Sequence, residues 1–141
     1  MALTAEWRGR IEMFRDALKN VFYRKLGDIE WAGFTTREQL SPTQALKKPF
    51  CARRPGTAWG EKWGYGWFRG TVRLPVSVAG KRVVLRADVG AESRVLVDGR
   101  EAGGRDWAHT EIVLAERAVP GRIYKVLVEA YAGHGQMTGH A

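Results

Sequence analysis

The chain has 141 residues, 45% hydrophobic and 27% charged, with a formal net charge of +8. That length fits one domain with its own core, and the composition argues against wholesale disorder. The single cysteine, Cys51, rules out an internal disulfide framework, and the basic residues occur at most in pairs such as Lys47-Lys48, Arg53-Arg54 and Lys81-Arg82.

The chain opens on a basic amphipathic helix. Trp7, Ile11, Phe14, Leu18, Val21 and Phe22 recur at spacings of three and four, which places them on one stripe. Thr4 is a candidate N-cap and Gly27 a candidate stop after Leu26. Arg8, Arg10, Arg15, Lys19, Arg24 and Lys25 fall mostly off the stripe, so the helix is expected to lie as a lid on a packed body and show water its basic face. A membrane or partner role is the less favoured reading of such a helix.

Residues 27–58 are less regular. Asp28 to Phe34 reads as a strand, and Thr35 to Ala45 as loop with one helical turn. Phe50 to Gly56, beside Pro49 and Pro55, reads as irregular or edge-like.

From Trp59 onward the period is two. Trp63, Tyr65 and Trp67 alternate with Gly64 and Gly66, and Val72, Leu74 and Val76 with Thr71 and Arg73, which predicts a strand with one buried face. Lys81 to Val89 follows as a strand, then Arg94 to Val97. Asp98-Gly99 is a hairpin signal, because a tight primed turn needs positive φ at both central residues. Ile112 to Leu114 is a short strand, Pro120-Gly121 a turn, and Ile123 to Tyr131 the last long strand. About five strands between residues 63 and 131, without intervening helices, predict a mainly β domain: a jelly-roll β-sandwich preceded by the N-terminal helix. The expected division is helix over 1–26, sandwich over 27–135 and the start of a linker over 136–141.

The aromatic set invites a functional reading. Trp59, Trp63, Tyr65 and Trp67 could form a platform for a sugar ring, since an aromatic face suits the apolar C–H face of a pyranose. Packing in the core, or against another domain, is the preferred alternative. Arg69 follows this run and is expected to tie to a carboxylate or stack on a ring, with a ligand role second. Trp63, Tyr65, Trp67 and Arg69 are therefore the candidate carbohydrate or interdomain contacts. Asp106, His109 and Glu111 cluster before a strand and could hold an ion, but an ordinary polar loop is preferred and no metal site is assigned. No pair of carboxylates suggests a glycosidase centre, and no Gly-rich loop leads into a helix as a nucleotide site would need. Catalytic residues are therefore expected to be absent.

Several stretches resemble the N-terminal domain of bacterial and fungal-type cytosolic α-mannosidases of glycoside hydrolase family 38. They are Trp63-Gly64-Tyr65-Gly66-Trp67-Phe68-Arg69, Val83-Val84-Leu85-Arg86, Val95-Leu96-Val97-Asp98-Gly99-Arg100 and Val128-Glu129-Ala130-Tyr131-Ala132-Gly133-His134-Gly135. The resemblance runs from about Trp7 to Gly135 and implies a galactose-binding-like jelly roll that carries no catalytic residues. It also implies a parent enzyme that removes α-linked mannose with an aspartate nucleophile and a zinc ion held by His and Asp in a catalytic domain absent here. The family's His-x-Asp zinc motif is missing, since His109 is followed by Thr110-Glu111 and His134 by Gly135-Gln136.

The leading expectation is thus an accessory domain that braces a catalytic domain. A free-standing carbohydrate-binding module for mannosides is second, and a nucleic-acid-binding module, suggested only by charge and aromatics, a distant third. With no run of about 20 apolar residues and no signal-peptide pattern, a cytoplasmic location away from membranes is expected. No nucleic acid partner and no cofactor bound by this chain are expected.

Overall fold

In a computed structural model the chain is described over residues 23–54, 58–60, 64–105 and 111–133. Residues 1–22 of the expected helix lie outside the described residues, as do Trp63, Asp106, His109 and the expected linker. Residues 23–26, its expected last turn, carry no helix. Leu26 is half exposed, so no burial holds a turn there, and the Tyr23 hydroxyl instead accepts from Arg82 Nη1 at 3.5 Å.

Among the described residues eight strands, one short α-helix and a single 3-10 turn at Val76–Val78 follow. In chain order the strands and the α-helix are β1 (Trp31–Thr36), α1 (Pro42–Leu46), β2 (Cys51–Arg53), β3 (Tyr65–Arg73), β4 (Val83–Leu85), β5 (Ser93–Val97), β6 (Arg100–Arg105), β7 (Ile112–Ala115) and β8 (Ile123–Tyr131). A six-stranded sheet runs β2-β1-β3-β8-β5-β6, and β4 pairs with β7 in a second, smaller sheet. Every pairing is antiparallel. The fold is a β-sandwich, as the period-two pattern predicts.

The centre of the large sheet is the ladder between β3 and β8, which runs without a break from Tyr65↔Tyr131 to Arg73↔Ile123. Residues directly opposite on such a ladder share a face. Phe68, Val95, Val126, Val128 and Ala130 therefore point inward together. Leu85, Ala87, Val89 and Ile112 meet them from the opposite side of the sandwich. Leu74, Val78, Val83, Ala118 and Tyr124 close the core at one end.

The strand boundaries differ from the sequence reading in three places. β1 begins at Trp31 rather than Asp28. β4 ends at Leu85, although the inward alternation continues through Ala87 to Val89. β6 was hidden by Gly103-Gly104, which propensity reads as a breaker; the strand forms because the turn before it delivers it to β5. That turn is as the Asp-Gly signal requires, with Asp98 at φ 52° and Gly99 at φ 80°. β2 sits at the sheet edge, where nearby prolines cost no ladder bond.

Candidate functional site

The large sheet has a second buried patch on its outer face, which period-two reading of β3 does not foresee. Gly66, Trp67 and Phe68 are all buried in succession. The cover over Trp67 is local in origin. Ser41 starts α1 with a capping box: its Oγ accepts from the Gln44 backbone N–H at 3.2 Å, and Gln44 Oε1 accepts from the Ser41 N–H at 2.9 Å. Pro42 at the first helical position fits the fixed φ of that site. The turn so formed sets Ala45 against Trp67, Leu96 and Leu127, and Phe34, Leu40 and Phe50 pack around them. Phe34 and Phe50 meet edge to face at 4.9 Å. Trp67 Nε1 is buried without a hydrogen-bond partner.

Beyond this roof the outer face opens. Tyr65 and Tyr131 are ladder partners, and their rings lie 5.1 Å apart with a 37° tilt. Gln39 Nε2 donates to the Tyr65 hydroxyl at 2.8 Å. One step along the same face, Glu129 stands opposite both Trp67 on β3 and Arg94 on β5. Arg94 Nη2 donates to Glu129 Oε2 at 2.5 Å, and its Nη1 to Glu101 Oε1 at 3.0 Å. Burial works to lower the Arg94 pKa, but the hydrogen bonds and charges of Glu101 and Glu129 outweigh it and raise it. Together Tyr65, Glu92, Ser93, Arg94, Glu129 and Tyr131 line a solvent-open cleft of about 300 Å³.

Of the predicted contacts, Tyr65, Trp67 and Arg69 share this outer face in three different settings. Tyr65 borders the cleft. Trp67 is fully buried beneath α1 and offers no stacking surface. The Arg69 guanidinium lies 4.2 Å from the centre of the Phe50 ring, a cation–π contact on the roof. Trp63 lies outside the described residues. Trp59 belongs to the inner core, where its Nε1 donates to the Val89 carbonyl at 2.7 Å and its ring meets Phe68 at 5.2 Å.

Of the ion candidates, only Glu111 is described, and it pairs with Arg86 at 2.9 Å. Among the described residues no three His, Cys, Asp or Glu side chains come together as a metal site would need. Cys51 is exposed on the edge strand β2. Arg94, Glu129 and Tyr131 are the residues that sequence reasoning missed, because the register joining them to Tyr65 spans strands far apart in the chain.

A separate feature stands at the end of the sandwich closed by Leu74. Val76, Val119 and Ile123 are 79%, 58% and 48% exposed. The segments that carry them are tied together by Leu74 N–H to Arg122 O, Gly121 N–H to Leu74 O and Gly80 N–H to Ala118 O. No helix among the described residues is long and apolar enough to cross a membrane.

A family model described as "Alpha-mannosidase, jelly roll domain" matches residues 28–140. No curated protein matches the chain. Among solved structures, Ruminococcus gnavus β-glucuronidase is similar over 77% of this chain, with a TM-score of 0.57 and 14% identity. Faecalibacterium prausnitzii β-glucuronidase is similar over 77%, with a TM-score of 0.54 and 19% identity. A putative β-galactosidase from Bacteroides fragilis is similar over 70%, with a TM-score of 0.50 and 20% identity. At these identities the likeness is one of fold. The chain spans 20%, 22% and 17% of those three structures.

Proposed function

Since the chain belongs to the α-mannosidase jelly-roll domain family, we propose that it serves as the non-catalytic accessory domain of an α-mannosidase, bracing a catalytic domain and the rim of its cleft. The observation that carries this is the family match over residues 28–140, a stretch that holds the whole described sandwich. The fold likeness to about a fifth of several larger glycosidases fits a module that works beside another domain.

The bracing surface is the rim of Val76, Val119 and Ile123. Three exposed aliphatic side chains at one end of the sandwich gain by leaving water, at about 25 cal/mol per Å² of apolar contact. Arg73, Lys81, Arg122 and Lys125 surround that rim in sequence and on the ladder, so an acidic patch on the partner suits it. Zinc and the aspartate nucleophile belong, in this reading, to the partner domain, and no step of hydrolysis involves the residues described here.

The test is hydrolysis of an aryl α-mannoside by the purified chain, by a catalytic domain of the same family, and by the two mixed, together with thermal melts of each. The chain alone is expected to give no turnover, and the mixture to melt higher than the catalytic domain alone. Zinc-dependent turnover by the chain alone would overturn the assignment, as would a melt unchanged by mixing.

A further inference from the structure

We infer that the cleft between Tyr65, Tyr131 and the Arg94–Glu129 pair is a binding site for a neutral pyranoside, separate from the bracing rim and independent of whether that rim docks a catalytic domain. At about 300 Å³ the cleft is at the small end of ligand-site volumes, enough for one sugar ring and not for an extended chain.

Its walls combine the two surfaces that a pyranose needs. Tyr65 and Tyr131 are ladder partners whose rings pack on each other, with centroids 5.1 Å apart and planes tilted by 37°, so no gap between them admits a guest and a ligand meets the outward side of the pair. A sugar's C–H face packs favourably on an outward aromatic face. The Tyr65 hydroxyl is held by Gln39, which fixes the orientation of that side chain before any ligand arrives. Beside the two rings stand Arg94 and Glu129, a rigid planar donor and a planar acceptor already locked together at 2.5 Å. Groups of that geometry suit the vicinal hydroxyls of a sugar, each of which donates and accepts.

Charge decides between ligand classes. Among the described residues of the lining Arg94 is the one cation, and it is already paired with Glu129 and Glu101. Glu92 adds a further carboxylate at the cleft. A phosphate, sulfate or uronate would meet more negative than positive charge there, although the whole chain is basic. A neutral hydroxylated ring meets no such penalty. The site therefore differs from the sequence-level platform: it keeps Tyr65, discards Trp67, and takes its remaining residues from β5, β8 and the loop before β5.

The experiment is a titration of the ¹⁵N-labelled full chain with methyl α-mannoside, with sodium glucuronate and with N-acetyl-lysine amide as parallel probes. The expected result is saturable amide shifts at residues 64–66, 92–94 and 129–131 with the mannoside, at a dissociation constant on the order of 1–10 mM, as befits a small open site. Glucuronate should bind at least fivefold more weakly. Tyr131→Ala should weaken mannoside binding at least tenfold, and Glu92→Ala, on an exposed position that leaves the fold intact, at least twofold. Val76→Ser, at the other end of the sandwich, should leave the titration unchanged. No saturation by 100 mM mannoside would overturn the inference. So would glucuronate binding as tightly as mannoside, saturation that survives both cleft substitutions, or preferential binding of the lysine amide, which would make the cleft a receptor for a cationic side chain. Because the bracing test reads mixing with a catalytic domain and this one does not, either can fail without the other.

Discussion

Trp67 and Phe68 are neighbours in sequence, are 0% and 1% exposed, and are buried in two different cores on opposite faces of one sheet. Phe68 packs in the sandwich with Trp59. Trp67 packs under α1 with Ala45, Leu96 and Leu127. The strand between them is thus sealed on both sides, which a strand in a two-layer β domain normally is not.

Trp67→Ala should cost about 3–5 kcal/mol of unfolding free energy, as expected when a large buried ring leaves a cavity. Trp67→Phe should cost markedly less, because it also removes an Nε1–H that has no partner. Urea denaturation of both variants measures the difference. Equal losses would overturn the reading that lost ring packing dominates the cost.

Gly66→Ala should destabilise by about 1–3 kcal/mol, the usual cost of overpacking a filled core. A Cβ there would stand 2.6 Å from the Trp59 ring and 2.9 Å from Phe68, and neither ring can swing aside within the core. Gly104→Ala, whose nearest neighbour would be 3.8 Å away, should change the melting temperature little. Thermal melts of the pair check the contrast.

Ser41→Ala removes one half of the capping box and should cost about 0.5–2 kcal/mol. Its particular signature is optical. Loosening α1 admits water to Trp67, so Trp emission should shift to the red under conditions where the far-ultraviolet signal of the sheet is unchanged. A loss of stability with no change in emission would show that α1 does not act as the cover of Trp67.

Asp98→Ala should cost on the order of 1–2 kcal/mol, and Asp98→Asn clearly less. The residue sits at φ 52°, where Asn and Asp are tolerated and Ala is strained. Its Oδ1 also accepts from the Lys125 backbone N–H at 2.8 Å, a bond that an amide oxygen can replace and a methyl cannot. Chemical denaturation of the three proteins orders them.

The legible part of this molecule was the part written locally. The alternation through Val83, Leu85, Ala87 and Val89, the Asp98-Gly99 turn and the long strand to Tyr131 are each fixed by neighbours in sequence, and the structure places them as the pattern implies. Resemblance in ordered short motifs also led to the family. What escaped was non-local. Nothing near Trp67 announces that residues 42–46 will cover it, so it was grouped with Tyr65 although core packing was the preferred reading of the set. Nothing near Tyr65 announces Tyr131 as its partner, so the cleft was invisible. β6 was missed for a related reason, since its glycines have no strand propensity and it is held in place by β5.

The ladder between β3 and β8 bears on how the chain comes to be folded at all. Its partners begin at Tyr65 and end at Tyr131, so the sheet's central seam is closed by the strand that comes last in chain order among those described. Until then the β1–β3 ladder and the β5–β6 hairpin are separate pieces, each with an apolar face, Phe68 on one and Val95 on the other, and neither has its partner. Closing so long a loop is slow, and a nascent chain halted short of residue 123 has no means of joining its halves. The yield of native domain should therefore respond to how long the chain waits for that strand as well as to the final stability of the sandwich.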